Sequence, residues 1–188
     1  MKKYVQLQEI AEVSIGVLTA RENDVFGENE YKLFSIRDYK SDDEYEIIRT
    51  NRYLRDKVTK KGDILIRLVA PNKIIYVDEK IENLLVPSQF CIIRVYKEHV
   101  NPEFLKWYLE SDEGKGILAE NITGSSIQKI SVTDLRKIAI PIININKQKA
   151  IADLINLWNK EKDILQEIMK EKDLLYNNII EKIIEKEG

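Results

Sequence analysis

Along the first 140 residues, short apolar runs alternate with turn signals, as in Tyr31-Lys32-Leu33-Phe34-Ser35-Ile36, Gly62-Asp63-Ile64-Leu65-Ile66, Lys73-Ile74-Ile75-Tyr76-Val77 and Gln89-Phe90-Cys91-Ile92-Ile93-Arg94-Val95. Runs of this length and composition predict β-strands. A helix is predicted from Asn101-Pro102-Glu103, where Asn supplies the cap, Pro suits the first helical position and Glu favours the positive end of the helix dipole. Its apolar face is Phe104, Leu105, Tyr108 and Leu109. Ser131-Val132-Thr133-Asp134 signals a second, shorter helix, after which Ile138-Ala139-Ile140 reads as a last strand closed by Pro141.

The pattern then changes. From Asn146 to Glu187 there is neither Pro nor Gly, and apolar residues recur every three or four positions among Lys, Glu and Asn. This predicts one long helix, a rod of roughly 60 Å at ~1.5 Å per residue, too long to be covered by the domain that precedes it. With Ile151 at the first heptad position, the two seam positions are Ile151, Trp158, Leu165, Lys172, Ile179 and Leu154, Glu161, Ile168, Leu175, Lys182, of which seven of ten are apolar. Ile155, Met169 and Ile183 widen the stripe. The seam residues Ile151, Leu154, Trp158, Leu165, Ile168, Leu175 and Ile179 are therefore candidates for self-association, with Trp158 the first hot spot. The alternative is a helix folded back as a bent hairpin around Asn177-Asn178. The chain thus divides into residues 1–143, a β-rich domain, and residues 144–188, a long helix.

Composition adds constraints. The only cysteine, Cys91, sits inside an apolar run, which leaves neither a disulfide framework nor a thiolate metal site and fits a reducing cytoplasm. No signal-peptide core follows Lys2 and Lys3, and no apolar run approaches the ~18 residues of a membrane span, so neither export nor a membrane partner is expected. The net charge of −2 argues against indiscriminate coating of DNA but hides an asymmetry. Arg49 to Lys73 holds eight basic and two acidic residues, a local balance of +6 that leaves −8 for the rest. A localised phosphate-facing surface would look like this, and so would a Lys-rich surface loop.

Enzyme chemistry finds few residues to use. His99 is the only histidine and reads as a surface loop residue, and Gly114-Lys115-Gly116 is neither a phosphate loop nor a dinucleotide fingerprint. Asn101-Pro102-Glu103-Phe104 resembles the Asn-Pro-Pro-Phe/Tyr loop of amino-methyltransferases, but Glu replaces the second Pro and helix capping accounts for it. Asp63 with Asp78-Glu79-Lys80 loosely matches the carboxylate pattern of metal-dependent nucleases, although the turn after Val77 would leave Asp78-Glu79-Lys80 in solvent.

The order of the segments resembles a known family. Val5-Gln6-Leu7-Gln8-Glu9-Ile10-Ala11-Glu12-Val13 with Gly16, then Gly62-Asp63-Ile64-Leu65-Ile66, then Ser88-Gln89-Phe90, resemble the target recognition domain of type I restriction-modification specificity subunits. Asn101-Pro102-Glu103-Phe104-Leu105, Gly124-Ser125-Ser126-Ile127-Gln128-Lys129, Ile140-Pro141 and Gln148-Lys149-Ala150-Ile151-Ala152 are similar to its later blocks. The likeness covers essentially the whole chain. It implies an α+β fold: a mixed, β-rich target recognition domain at 1–143, then a long spacer and dimerisation helix at 144–188 that forms an antiparallel coiled coil in a dimer. It further implies a non-catalytic subunit that binds double-stranded DNA and docks a methyltransferase (modification) subunit and a restriction/translocase subunit. S-adenosylmethionine, ATP and Mg would then be needed only in those partners, with no cofactor in this chain.

The family usually carries two recognition domains and two spacer helices where this chain shows one of each, so the resemblance implies a half-subunit whose homodimer reads a split, inverted-repeat target. Arg67-Leu68-Val69-Ala70-Pro71 departs from the small-residue turn of many relatives. Arg49, Arg52, Arg55, Lys57, Lys60 and Arg67 are the candidates for phosphate contact, followed by Ser125, Ser126, Gln128 and Lys129 in the loop after Gly124. Arg52, Arg67 and Gln128 are candidates for base reading, because Arg and Gln can each make paired contacts to a base edge. The rival readings are a truncated or silent recognition cassette that assembles with nothing, and a nuclease in which Asp63 and Asp78 hold a metal.

Overall fold

The structure, a computed structural model, describes residues 3–22, 24–36, 45–124 and 128–186. It forms two compact units, Met1–Gln148 and Lys149–Gly188.

The first unit is mixed α and β. Its centre is a four-stranded antiparallel sheet ordered β2 (Ala11–Ile15), β7 (Phe90–Val95), β5 (Ile64–Arg67) and β6 (Ile74–Tyr76). The unbroken apolar run on β5 has a physical cause: both faces of the sheet are covered. Ile64 and Ile66 lie in one core cluster with Val13, Cys91 and Ile93, while Leu65 points to the other with Ile75, Phe90 and Ile92. A strand buried on two sides cannot alternate with polar residues. Phe34 packs edge-on to Phe90, ring centroids 5.3 Å apart, to close the second cluster. Full burial of each such side chain contributes roughly 1.5–3 kcal/mol.

Three further two-stranded pairs surround this sheet: β1 (Lys3–Gln6) with β10 (Ala139–Ile142), β3 (Asn29–Lys32) with β4 (Ile47–Thr50), and β8 (Ile122–Thr123) with β9 (Lys129–Ile130). The strand expected at Tyr31–Ile36 starts earlier and stops at Lys32. Beyond it Leu33 and Phe34 turn to the Leu85 segment, Leu33 as a single parallel bridge and Phe34 through its N–H to Leu85 O at 2.8 Å. Pro141 does not close the last strand but lies inside it, opposite Tyr4. Leu7 N–H donates to Ile138 O at 2.9 Å, and in an antiparallel ladder hydrogen-bonded and non-hydrogen-bonded pairs alternate. By that alternation Tyr4 and Pro141 form a non-hydrogen-bonded pair, and the missing proline N–H costs the β1 ladder nothing.

The helices follow their caps. In α2 (Pro102–Glu110), Asn101 Oδ1 accepts from Phe104 N–H at 2.8 Å, and Phe104, Leu105, Tyr108 and Leu109 are all buried. In α4 (Val132–Lys137), Ser131 Oγ accepts from Asp134 N–H at 3.1 Å. Two helices carried no clear sequence signal: the four-residue α1 (Thr19–Glu22) and α3 (Asp112–Glu120). The Gly114-Lys115-Gly116 stretch belongs to α3, and Gly114 is there for contact: a Cβ on it would lie 2.1 Å from Tyr108 O, so a side chain would push α2 and α3 apart.

Gln148 anchors the start of α5 (Ile145–Lys186) within the first unit. It is fully buried, with Nε2 donating to His99 O at 2.9 Å and Ile143 O at 2.8 Å, and Oε1 accepting from Asn101 N–H at 2.9 Å. His99 itself is exposed in a loop.

The second unit is the body of α5. The helix runs unbroken through Asn177-Asn178, which overturns the bent-hairpin alternative; two Asn residues cost a helix at most about 0.7 kcal/mol each, too little to break it against flanking Leu, Ile and Lys. Among the described residues no helix is long and apolar enough to cross a membrane.

Candidate nucleic-acid interface

The chain's polar candidates fall into two sets on different elements. The first forms where β5 ends. Arg67 N–H donates to Lys73 O at 2.9 Å and Asn72 Nδ2 to Arg67 O at 2.8 Å, which closes the loop between β5 and β6. The backbone of that loop is held on both sides. Leu68 N–H donates to Gln89 O at 2.9 Å, Ala70 N–H to Gln128 O at 3.0 Å and Ile130 N–H to Leu68 O at 2.9 Å, and Val69 bridges Lys129. The peptide bond between Ala70 and Pro71 is cis.

This pairing brings Arg67, Gln128 and Lys129 together, three of the expected residues, and adds Asn72, Lys73 and Gln89 beside them. Gln89, Gln128 and Lys129 are exposed and Arg67 is half-buried. The described parts of these segments hold three cations and four side-chain amides or hydroxyls (Asn72, Ser88, Gln89, Gln128) and no carboxylate. Guanidinium, ammonium and amide groups on neighbouring segments suit a phosphate backbone and base edges. Ser125 and Ser126 lie outside the described residues.

The second set lies around β4, and here cations are matched by carboxylates. Arg49 on β4 pairs with Glu30 on β3 at 2.6 Å, Arg52 pairs with Glu22 at the end of α1, Lys57 with Asp56 at 3.5 Å and Lys61 with Glu79 at 2.6 Å. At least four of the eight basic residues in the stretch are thus paired with carboxylates within the unit. Arg55 stacks over the Tyr53 ring, 4.9 Å from its centroid, and Lys60 is exposed. Glu22 is 8% exposed and its second carboxylate oxygen has no hydrogen-bond partner, so much of the Arg52 charge is spent on a buried acid. Arg49 and Arg52 each share their charge with a carboxylate, so a phosphate would compete with Glu30 and Glu22 for them.

Asp63 and Asp78 hold backbone and arginine groups in place. Asp63 is 1% exposed, with Oδ1 accepting from Arg94 Nε at 2.8 Å and Oδ2 from a second Arg94 nitrogen at 2.7 Å and Lys60 N–H at 2.8 Å. The hydrogen bond to Asp63 holds the Arg94 guanidinium above its usual pKa. Asp78 accepts from Lys80 N–H at 3.0 Å as the cap of a short 3-10 turn. With its oxygens committed in this way, Asp63 has no geometry left for an ion. Among the described residues no cluster of three or more His, Cys, Asp or Glu could hold a metal. Burial pushes the Cys91 thiol up to about 12, so it carries no nucleophile at neutral pH.

The fold is a β-rich module whose β5–β6 loop carries groups suited to binding. Residues 2–171 match the Type I restriction modification DNA specificity domain, and the chain belongs to that family, whose role is specificity and not catalysis. No curated protein matches it. Solved structures share its fold. The HsdS subunit from Thermoanaerobacter tengcongensis aligns with a TM-score of 0.64 at 19% identity, over 90% of this chain and 45% of that one. The type I restriction-modification system S subunit from M. genitalium aligns with a TM-score of 0.56 at 17% identity, over 84% and 39%. A chain from a study of complex assembly and conformational transition of the type I R-M system aligns with a TM-score of 0.67 at 18% identity, over 90% and 41%. The chain therefore spans about two fifths of the length of these relatives.

Proposed function

We propose that this chain is a half-length specificity subunit of a type I restriction-modification system, which homodimerises through α5 and reads a bipartite, inverted-repeat DNA target with one recognition unit per half-site. The observation that carries this reading is the state of α5. On a 42-residue helix, the seam residues Leu154, Trp158, Leu165, Ile168, Leu175 and Ile179 are between 43% and 67% exposed. Ile151, at the start of the seam, is half-buried. So much aligned apolar surface is stable in water only when another helix covers it.

Residues 1–143 are the DNA-reading part and 144–188 the spacer. Arg67, Gln128 and Lys129 lead the DNA contacts, with Ser125 and Ser126 next and Arg49, Arg52, Arg55, Lys57 and Lys60 as outlying phosphate contacts. The dimer docks a methyltransferase subunit and a restriction/translocase subunit, and those partners bring S-adenosylmethionine, ATP and Mg. Light scattering on the purified chain tests the assembly: a mass near twice 22.0 kDa is expected. A strict monomer at all concentrations overturns the homodimer and assigns the exposed seam of α5 to a different chain.

A further inference from the structure

Of the three charges in the apolar stripe of α5, two, Glu161 and Lys172, have unusual surroundings. The residues three and four positions before and after Glu161 are Leu157, Trp158, Ile164 and Leu165; those around Lys172 are Ile168, Met169, Leu175 and Tyr176. These are the neighbours a helical side chain reaches, and every one is apolar and exposed. Neither Glu161 nor Lys172 has an ionic partner of its own helix within that reach, although charged residues abound on the rest of α5. Once the stripe is covered, each charge is buried unless the covering surface brings its complement, and an unpaired buried charge is strongly destabilising.

We propose that Glu161 of one copy meets Lys172 of a second, antiparallel copy, and that this pair, formed twice about the two-fold axis, sets the register of the dimer. The proposal rests on the homodimer reading above and specifies it. Placing the axis between Gln166 and Glu167 opposes Glu161 with Lys172 and at the same time opposes Leu165 with Ile168, Trp158 with Leu175 and Leu154 with Ile179. Every inner seam position then meets a like partner: apolar on apolar, and acid on base. Only the outermost pair, Ile151 with Lys182, is mixed, at the end of the overlap where the lysine ammonium can reach water. A slip of one heptad in either direction faces both charges with apolar side chains. Polar seam residues are the best attested devices for fixing register in paired helices.

The register has a functional consequence. It sets the two Gln148 residues 37 positions apart along the paired helices, about 56 Å at ~1.5 Å per residue. A one-heptad slip would change that by about 10 Å, roughly three base-pair steps at ~3.4 Å each. The gap between half-sites would then be tied to one ion pair.

The test uses the full chain and charge reversal. Glu161→Lys places lysines against Lys172 at both contacts, and Lys172→Glu places glutamates against Glu161, so each alone is expected to weaken the dimer at least about tenfold. An equimolar mixture of the two variants makes both contacts attractive and is expected to return to within about threefold of the parent affinity. Orientation is read by disulfide trapping, in which buried Cys91 does not interfere. Leu154→Cys alone does not cross-link, because the two copies of residue 154 would lie about 37 Å apart, whereas Leu154→Cys/Ile179→Cys links the dimer. If the parent chain is a monomer, this proposal and the homodimer reading fall together. If the parent is a dimer but charge reversal leaves it unchanged, or Leu154→Cys cross-links by itself, the register falls and the homodimer stands.

Discussion

Helices α2 and α5 carry the same kind of amphipathic pattern and meet opposite fates. In α2 the apolar face is buried to within a few per cent, with Leu105 and Leu109 fully covered. In α5 the corresponding seam is roughly half exposed over six residues. Periodicity says that a face will be buried but not by what. A nine-residue helix fits under one small sheet, whereas a 42-residue helix outruns any surface its own unit offers. The difference lies in cover: α2 stabilises the unit through a closed face, whereas the α5 seam stays exposed, as the proposed dimer requires.

That comparison can be broken by mutation. The largest effect is expected for Leu105→Ala, which leaves a cavity in a closed core and should cost about 2–5 kcal/mol of unfolding free energy in chemical denaturation. Leu165→Ala, at a seam position 53% exposed, should leave the first unit's unfolding within about 0.5 kcal/mol of the parent while loosening the dimer. Equal losses of core stability would remove the distinction. Next in size is Trp158→Glu, which puts a charge against apolar partners; a loss of about 2 kcal/mol or more in association, seen as monomer by light scattering with the fold intact, is expected. An unchanged dimer would take Trp158 out of the interface, even though its ring, capped by Lys162 Nζ at 3.5 Å from the centroid, is available on the free helix.

The smallest effect concerns the two cation sets. Removing Arg67 should weaken DNA binding and lower the slope of log affinity against log salt by about 0.9, the value for one lost phosphate contact. Arg49→Ala should change both less, because Arg49 must first give up Glu30. If Arg49 proved the more important in a salt titration, the Arg67–Gln128–Lys129 rim would not be the principal contact surface.

Much of the fold was legible in advance. The caps Asn101 and Ser131 started helices where they stood, because a side-chain oxygen three residues before a free N–H is a local device that needs no tertiary help. Runs of Ile and Val became strands. Less legible were α3, which carried no clear sequence signal and whose Gly114 lies in close contact with α2, and Pro141, tolerated inside β10 at a position where no N–H to β1 was needed. The candidate interface was legible only in its parts. Arg67 and Gln128 stood out as residue types, but Lys73, Asn72 and Gln89 joined them through pairings that carry no local signal.

What the sequence determined by itself was therefore whatever depends on neighbours along the chain: element type, helix caps, the unbroken period of α5 and the two charges set into its stripe. What the tertiary structure decided was which of the many cations meet carboxylates. Glu22 and Glu30 precede the arginines they neutralise by 30 and 19 positions, and Lys129 reaches the Arg67 loop only because its backbone bridges Val69. Charge counted along a chain takes no account of separation in space, on which the interaction of charges depends, so a balance of +6 in sequence is divided between two sets of residues on different elements.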